Sequence, residues 1–537
     1  MRTSVIRMSG GALPLAAFAL ALAPVAQADD AKSQAAKPLA IKARLIHTMK
    51  AGEKPIENGV IVISDGKISA IGSGIAAPDG ATVRDLGESH LTPGLIDANC
   101  AVAPESLQRG WRSFDNEAAN AIDPAKRDFT TSHITRPIEP RGSLWGDLAA
   151  DAQTHAMHAE DDHSVCAAIC GGQDELLRMT ARARRENLST ADDSGPTSVS
   201  EGAFAVTGEQ SSEVVPHTRV ADSLNLYAKD FRRLARNGVT TVFAAPDPSS
   251  VIGAAGAIVK TAGPVRSRMV EANSAVQAAF GADSFSRGAG NNLPPTNGPE
   301  PSPVTRRPTT RMGVDWVMRK AFYDARLAAS GRAPYGADTP PFAAFAVLQD
   351  ILAGKRPLRI QARMRHDIES AIRVAKELGL RFTLVEAIEA YNAIPALKSG
   401  NIPVIFGPLY MTPSGWRSVV GRGFGNAGEG GRARLSTAKL LQDAGVPWAL
   451  TANDLRDEQG LAAQAMVAAA NGLSPEEALA AVTRAPAELL GIADRCGSLA
   501  TGLDADLVAW SGPPTDPTSK VLLVIINGQV VHDAMDK

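Results

Sequence analysis

The stretch Leu91-Thr-Pro-Gly-Leu-Ile-Asp-Ala-Asn-Cys-Ala101 decides the fold, because the rest of the chain is organised around it. Its Pro93-Gly94 pair is typical of a turn, and the apolar residues that follow predict a short strand. The last residues, Asn99 to Ala101, stand at the end of this strand. We expect the functional site of the protein there, because barrels of parallel strands carry their sites at the carboxyl ends of the strands.

Length and composition set broad limits on the class of protein. A chain of 537 residues is long enough for one large domain and a smaller one, with ample core. Hydrophobic residues make up 44% of it and the formal net charge is −2, which excludes overall disorder and gives no sign of a nucleic-acid-binding surface. We expect a globular protein that binds no nucleic acid and for which an oligomer is possible.

The N-terminus has the pattern of a secretory signal peptide over residues 1–28. Arg2 and Arg7 precede an Ala/Leu-rich run over residues 11–25, and Ala26-Gln27-Ala28 is typical of a cleavage site. The alternative, a transmembrane anchor, is disfavoured because the run is short and two prolines interrupt it. The expected location is therefore periplasmic or secreted, with no membrane span in the mature chain.

Two β-rich segments stand at opposite ends of the chain. Residues 29–90 contain strand-like runs and an Asp65-Gly66 hairpin turn, and residues 495–537 contain similar runs and an Asn527-Gly528 turn. Each segment is too small to bury a core alone. We predict that the two segments pair in one composite β-sandwich domain.

The region between them, residues 91–494, alternates strand-like and helix-like segments. Residues 238–245 predict a buried strand. Ile368 to Leu378 place apolar residues on one helical face, and Gly379 is expected to end that helix. Ser474-Pro-Glu-Glu477 is a capping box at a helix start. Such alternation implies a parallel sheet, and the predicted α/β fold is a (β/α)8 TIM-like barrel.

Two stretches interrupt this alternation. Residues 113–215 are polar and show weak periodicity, and residues 281–311 are rich in Gly, Asn and Pro. We interpret the first as an insertion and the second as a long loop, both near the mouth of the barrel.

The runs Pro93-Gly-Leu-Ile-Asp97 and Gly502-Leu-Asp-Ala-Asp-Leu507 resemble sequences of the amidohydrolase superfamily, in its imidazolonepropionase-like, metal-dependent hydrolase group. The resemblance implies the same barrel and composite sandwich. It also implies one or two divalent, zinc-like ions that activate water to hydrolyse carbon–nitrogen bonds other than peptide bonds. Small cyclic amides or dipeptide-like molecules would be typical substrates.

The positions that the resemblance assigns to metal ligands carry other side chains here. The paired histidines of the first barrel strand fall on Asn99 and Ala101, and the bridging lysine falls on Gln277. The histidines of the fifth and sixth strands fall on Gln361 and Glu386.

At the eighth strand, the family's aspartate falls on Asn453, with Asp454 one residue later. Zinc at a hydrolytic site needs three or four His, Cys or carboxylate ligands, so we predict that the usual metal site is lost. The resemblance then leaves two hypotheses. The chain is a hydrolase that uses Glu386 or Asp454 as a general base, or it is a catalytically inactive barrel, a pseudoenzyme, that binds a small molecule.

Arg363 follows Gln361 by two residues and admits two interpretations. Its guanidinium could bind a carboxylate-bearing ligand in the former metal site, or it could form a buried ion pair with Glu386.

A second group of chemically active side chains lies in the insertion: His155, His158, His163, Cys166 and Cys170. Imidazole and thiolate groups suit zinc or copper, so this group is a candidate metal site. The alternatives are a polar loop, or a disulfide between Cys166 and Cys170 in an oxidising compartment.

Overall fold

A computed structural model describes residues 37–102, 212–248, 250–281, 310–332, 339–409, 434–453 and 460–535, together with residues 284, 308 and 334. The predicted signal peptide, most of the insertion at 113–215 and most of the loop at 281–311 lie outside these residues. The same holds for Asp454 and for all five candidate ligands of the insertion.

The described strands are β1 (Leu39–Ile46), β2 (Ile56–Ser64), β3 (Lys67–Ser73), β4 (Thr82–Asp85), β5 (His90–Pro93), β6 (Leu95–Cys100), β7 (Val239–Ala244), β8 (Ile252–Ala255), β9 (Ala257–Lys260), β10 (Met269–Glu271), β11 (Val276–Ala279), β12 (Leu358–Gln361), β13 (Phe382–Glu386), β14 (Val404–Phe406), β15 (Trp448–Leu450), β16 (Leu507–Trp510), β17 (Val521–Ile526) and β18 (Gln529–Asp533).

The described α-helices are α1 (Lys229–Arg236), α2 (Val265–Arg268), α3 (Arg311–Ala329), α4 (Phe342–Leu352), α5 (Arg365–Leu378), α6 (Ile394–Ser399), α7 (Thr437–Ala444), α8 (Leu461–Ala470), α9 (Pro475–Ala480) and α10 (Arg484–Leu490). Within the described residues, no helix is both long enough and apolar enough to cross a membrane.

The strands from both ends of the chain form one eight-stranded sheet. Its order is β18-β17-β16-β5-β1-β2-β3, with β4 paired to β1, so the two predicted β segments do pair. Strands β16 and β5 pair Leu507 with Pro93, so the C-terminal segment contacts the start of the stretch at residues 91–101. The sandwich and the domain boundaries stay predictions.

Both predicted hairpin turns in this sheet are confirmed. Asp65 and Gly66 have φ of 50° and 77°, and Asn527 and Gly528 have φ of 48° and 75°. Two consecutive residues with positive φ match the twist of a hairpin, and Asn, Asp and Gly tolerate that conformation best. The two turns also pack together, because a Cβ on Gly66 would lie 2.9 Å from the Asn527 carbonyl oxygen.

The middle of the chain is a mixed α/β structure, as predicted. Its strands form a four-stranded sheet, β10-β9-β7-β6, and a six-stranded sheet, β15-β14-β13-β12-β11-β8. Strand β6 runs parallel to β7, and β11 to β15 run parallel to one another. In the described residues the two sheets are not closed into one continuous barrel.

One part of this region differs from the predicted parallel sheet. Strand β8 is antiparallel to β11, and β9 is antiparallel to β7. Only residues 245–251 separate β7 from β8, which is too short for a helical crossover, and the chain returns antiparallel beside β7 as β9. Gly256 joins β8 to β9 at a point where the ring of Phe243 approaches closely, because a Cβ there would lie 2.2 Å from the Phe243 Cζ.

The helix ends predicted in this region are confirmed. Helix α5 ends at Gly379 with φ of 68°, the left-handed conformation that glycine adopts without strain. Its buried face includes Ile368, Ala371 and Leu378, as the apolar periodicity indicates. Helix α9 begins with the predicted capping box, in which Ser474 and Glu477 satisfy each other's backbone amides.

A buried group of charges joins the terminal sheet to the middle of the chain. Lys260, at the end of β9, is fully buried and its ammonium contacts Asp506. The same ammonium lies 3.3 Å from Asp504, which also receives Arg495 at 3.2 Å and Lys67 at 3.5 Å. Lys260 therefore has a structural role.

Candidate functional site

Glu386 is the centre of the site, at the last residue of β13. It is buried and has φ of 65°, a conformation that side-chain-bearing residues rarely adopt. Asn453, after β15, has φ of 55°. Such backbone strain persists only where the surrounding structure fixes it, and it is concentrated at functional sites.

The carboxylate of Glu386 accepts four hydrogen bonds from other side chains, two at each oxygen. Oε1 accepts from the amide of Asn453 at 3.0 Å and from the amide of Asn99 at 3.4 Å. Oε2 accepts from Arg363 Nε at 2.7 Å and from the amide of Gln361 at 3.0 Å. These five residues are the Glu386 cluster.

The strands explain why residues so distant in sequence converge. Asn99 lies at the end of β6, Gln361 at the end of β12 and Glu386 at the end of β13. Parallel strands in register bring their carboxyl ends to one edge of the sheet, where β12 and β13 pair Gln361 with Val385. The structure thus brings together five of the residues predicted from the sequence.

The ion-pair interpretation of Arg363 describes the observed contact. The Arg363 and Glu386 side chains are 7% and 6% exposed, so both charges are almost completely removed from water. A guanidinium and a carboxylate in that environment stabilise the structure only when their remaining donors and acceptors are satisfied. The amides of Asn99, Gln361 and Asn453 supply such partners to the carboxylate.

Arg359 is a site residue that the sequence analysis missed. Its Nη2 donates to Asn99 Oδ1 at 2.9 Å, and its guanidinium lies 3.7 Å from the centre of the Phe243 ring. Burial lowers the pKa of Arg359 to about 9, and the carboxylates of Asp97 and Glu386 act in the opposite direction. Arg359 therefore remains protonated at pH 7.

Asp97 is the second site residue that was missed. Its carboxylate accepts a hydrogen bond from the Thr451 hydroxyl at 2.6 Å. It also accepts from the backbone N–H groups of Asn99, at 3.0 Å, and Ala452, at 3.2 Å. These bonds link the end of β6 to the segment after β15. They fix the position of the backbone at Asn99 and Asn453.

Two other predicted pocket positions lie outside the hydrogen bonds of the Glu386 cluster. Gln277 is buried and its amide donates to the Pro246 carbonyl at 3.4 Å. In register, Gln277 stands beside Arg359 on the neighbouring strand. Ala101 is buried and its backbone N–H donates to the Asn453 carbonyl at 3.2 Å.

A depression of about 400 Å³ lies next to this cluster, where the chain leaves β12 and β13. Its lining includes His366, Glu369, Glu389 and Tyr391. The Glu389 N–H donates to the Arg363 carbonyl at 2.9 Å, which connects the wall of the depression to the ion pair.

Comparisons with known proteins agree with this architecture. Residues 439–531 match the family model described as the Amidohydrolase family. A crystal structure of an amidohydrolase from Thermotoga maritima MSB8 superposes with a TM-score of 0.63 and 22% sequence identity, covering 92% of this chain and all of that chain.

Two curated proteins give weaker, partial matches. Amidohydrolase tasK from Hapsidospora irregularis is 23% identical over 347 residues, which is 61% of this chain and 34% of that protein. The 5-methylthioadenosine/S-adenosylhomocysteine deaminase of Nitratidesulfovibrio vulgaris strain Hildenborough is 36% identical over 111 residues, which is 20% of this chain and 22% of that protein. This chain thus spans about a third or less of the length of these curated relatives.

The family model over residues 439–531 and the shared fold confirm the resemblance to the amidohydrolase superfamily. The two curated relatives are named as an amidohydrolase and a deaminase.

Proposed function

We propose that this protein binds a small molecule on an amidohydrolase fold and that the metal-dependent hydrolysis of its superfamily has been lost. The single observation that carries the proposal is the contact of 2.7 Å between Arg363 Nε and Glu386 Oε2. An arginine of the chain itself engages the only carboxylate among the ligand positions that fall within the described residues.

The residues at this site do not fit a divalent metal ion. Three amide groups and one guanidinium direct N–H donors at Glu386, so its two oxygens already accept hydrogen bonds. Arg359 adds a second buried positive charge that would repel a cation. In the part of the chain that the structure describes, no group of three or more His, Cys, Asp or Glu side chains could hold a metal.

The depression beside the cluster supports the binding part of the proposal. Its volume of about 400 Å³ is within the range of small-molecule sites, and it lies at the carboxyl ends of β12 and β13. We also infer that the two central sheets complete a distorted (β/α)8 barrel. The Ala101–Asn453 hydrogen bond between the ends of β6 and β15, at 3.2 Å, supports this closure.

The second candidate function is metal-free hydrolysis of a carbon–nitrogen bond with Glu386 as general base. The hydrolase names of the relatives favour it. The geometry disfavours it, because a general base needs an oxygen that can accept the proton of water, and Arg363 already donates to Oε2.

Hydrolysis assays separate the two candidates. The full chain is expected to turn over neither a cyclic amide such as dihydrouracil nor N-acyl amino acids, with or without added Zn²⁺. Any rate should be the same in Glu386→Gln, because that carboxylate has no catalytic role in the binding proposal. Turnover that disappears in a Glu386→Gln variant whose circular dichroism spectrum matches that of the wild type would replace the binding proposal with the metal-free hydrolase.

We further propose that the protein is exported, on the basis of the signal-peptide pattern over residues 1–28. Cell fractionation followed by N-terminal sequencing tests this. A mature chain outside the cytoplasm that begins near Asp29 supports export, and a cytoplasmic chain that retains residues 1–28 contradicts it.

A further inference from the structure

Two histidines face each other at a junction inside the eight-stranded sheet. His47 follows β1, and His90 begins β5. His47 Nε2 lies 3.1 Å from His90 Nδ1, which is a hydrogen-bonding distance. The two rings stack, with their centres 5.3 Å apart and their planes 22° apart. We call these two residues the histidine pair.

The histidine pair lies where the two halves of this sheet meet. Strands β1 to β4 stand on one side of the junction, and β5, β16, β17 and β18 stand on the other. Strands β1 and β5 pair only at Leu45–His90 and Ile46–Leu91. The His47 N–H adds a hydrogen bond to the Leu91 carbonyl at 2.8 Å. Because this backbone pairing is short, the contact between the two imidazoles contributes to holding β1 against β5.

The contact depends on how many protons the two rings carry. In the uncharged pair, one of the two facing nitrogens donates its hydrogen and the other accepts it. A first added proton can bind the outer nitrogen of the donor ring without breaking this bond. A second proton must occupy the accepting nitrogen, so that two N–H groups and two positive charges face each other. The contact is then lost.

The surroundings of the pair oppose protonation. Burial lowers the pKa of His47 to about 4, and His90 acts in the same direction. Burial also lowers the pKa of His90, with Arg44 acting in the same direction. A histidine in an open segment has a pKa of about 6.5. Below that pH the open segment binds protons more readily than the closed pair, so acid favours opening.

Within the described residues, neither imidazole of the pair lies within ion-pair distance of a carboxylate that could offset its charge. Glu88, two residues before His90, pairs instead with Arg44. Strand β16 places the uncharged Trp510 opposite His90. The charged residues on the neighbouring elements are Arg44 and Glu88 beside the pair, Glu57 on β2, Lys50 and Glu53 after β1, and Arg484 on α10.

We propose that the histidine pair is an acid-sensitive switch, which holds β1 against β5 near neutral pH and releases this end of the junction in acid. The two halves of the sheet also meet elsewhere, at a bridge between Lys67 and Asp504, so the release is local. Strand β5 continues into β6, which carries Asp97 and Asn99. The released end therefore adjoins a strand of the Glu386 cluster. The proposal is independent of the proposed binding function.

Hydrogen exchange of the full chain tests the proposal, when it is followed by mass spectrometry at about pH 7.5 and about pH 5 and corrected for intrinsic exchange rates. Peptides that cover β1 and β5 should lose protection at least about tenfold at the lower pH. The reason is that opening can gain up to about tenfold per pH unit for each histidine that takes up a proton. Peptides that cover β12 and β13 should keep their protection.

The variant that tests the cause is His47→Gln/His90→Asn, which places an amide near each facing nitrogen and cannot take up these protons. Its β1 and β5 peptides should be equally protected at both pH values. The matched control is His366→Gln, which changes a histidine on α5 whose side chain is 55% exposed. It should keep the wild-type loss of protection.

Wild-type protection of β1 and β5 that is equal at both pH values would overturn the proposal. An undiminished loss in His47→Gln/His90→Asn would also overturn it, because another group would then be responsible. Circular dichroism at neutral pH shows whether this variant is folded. If it is not, the single variants His47→Gln and His90→Asn give the same test, because neither can form a doubly protonated pair, and each should show a smaller loss than the wild type.

Discussion

Replacing Glu386 with alanine is expected to lower the free energy of unfolding by about 3–5 kcal/mol, because Arg363 would remain buried without its carboxylate. The amides of Asn99, Gln361 and Asn453 would lose the same acceptor. Urea unfolding, followed by circular dichroism, measures the change.

The control for this variant is Glu377→Ala, which removes a carboxylate on the surface. Its side chain is 36% exposed and pairs with Arg319, so the loss should be at most about 1 kcal/mol. The double variant Glu386→Leu/Arg363→Met should recover part of the lost stability, because it leaves no unpaired buried charge. A Glu386→Ala variant within about 1 kcal/mol of the wild type would show that the carboxylate is not held as the structure describes.

Lys260→Met should also lower the free energy of unfolding by about 3–5 kcal/mol, because here a buried cation is lost and its carboxylate partners remain. It removes the one fully buried cation that faces Asp504 and Asp506 within the described residues, and it leaves two carboxylates close together. Lys67→Met is the matched control. Lys67 also reaches Asp504, but its side chain is 58% exposed, so its loss should cost less than about 1 kcal/mol.

The pH dependence of this effect follows from the two shifted groups. Burial tends to lower the pKa of Lys260, but Asp506 and the other acidic neighbours raise it above the ordinary 10.5. Burial tends to raise the pKa of Asp504, but Lys260 and Arg495 lower it below 3.8. The stabilisation by the Lys260 ion pairs is therefore present at pH values between the pKa of Asp504 and the pKa of Lys260. It is lost as pH rises through the pKa of Lys260 or falls through that of Asp504.

Urea midpoints of the wild type and of Lys260→Met, measured at several pH values, test this dependence. The difference between the two proteins should be constant from about pH 5 to 9 and should shrink below about pH 4. A difference that grows on acidification would contradict the ion-pair account.

Local features of the fold were predictable because their signals lie within a few residues. The Asp65-Gly66 and Asn527-Gly528 turns, the glycine at the end of α5 and the capping box of Ser474 all follow from short-range backbone chemistry. The antiparallel β8 and β9 were missed, although the short segment after β7 is a signal that the chain cannot cross over.

The sequence was sufficient to predict which residues belong to the Glu386 cluster, but not which hydrogen bonds they form. Alternation along β12 places Arg359 on the same face as Gln361, so the period of two residues was a signal for Arg359 that the sequence analysis did not use. The role of Asp97 was not readable, because it depends on Thr451, 354 residues away. The pairing of Lys260 with Asp506 spans 246 residues and also has no local signal.

The metal content of the protein tests the central claim most directly. The full chain, purified without chelator and without a metal-affinity tag, is to be analysed by elemental mass spectrometry in a Cys166→Ser/Cys170→Ser background, which removes both insertion thiols. Our account predicts well below one transition-metal ion per chain, and no change in Glu386→Gln. One or two zinc-like ions per chain that are lost in Glu386→Gln, while circular dichroism shows that this variant is still folded, would show that the superfamily's metal site is present.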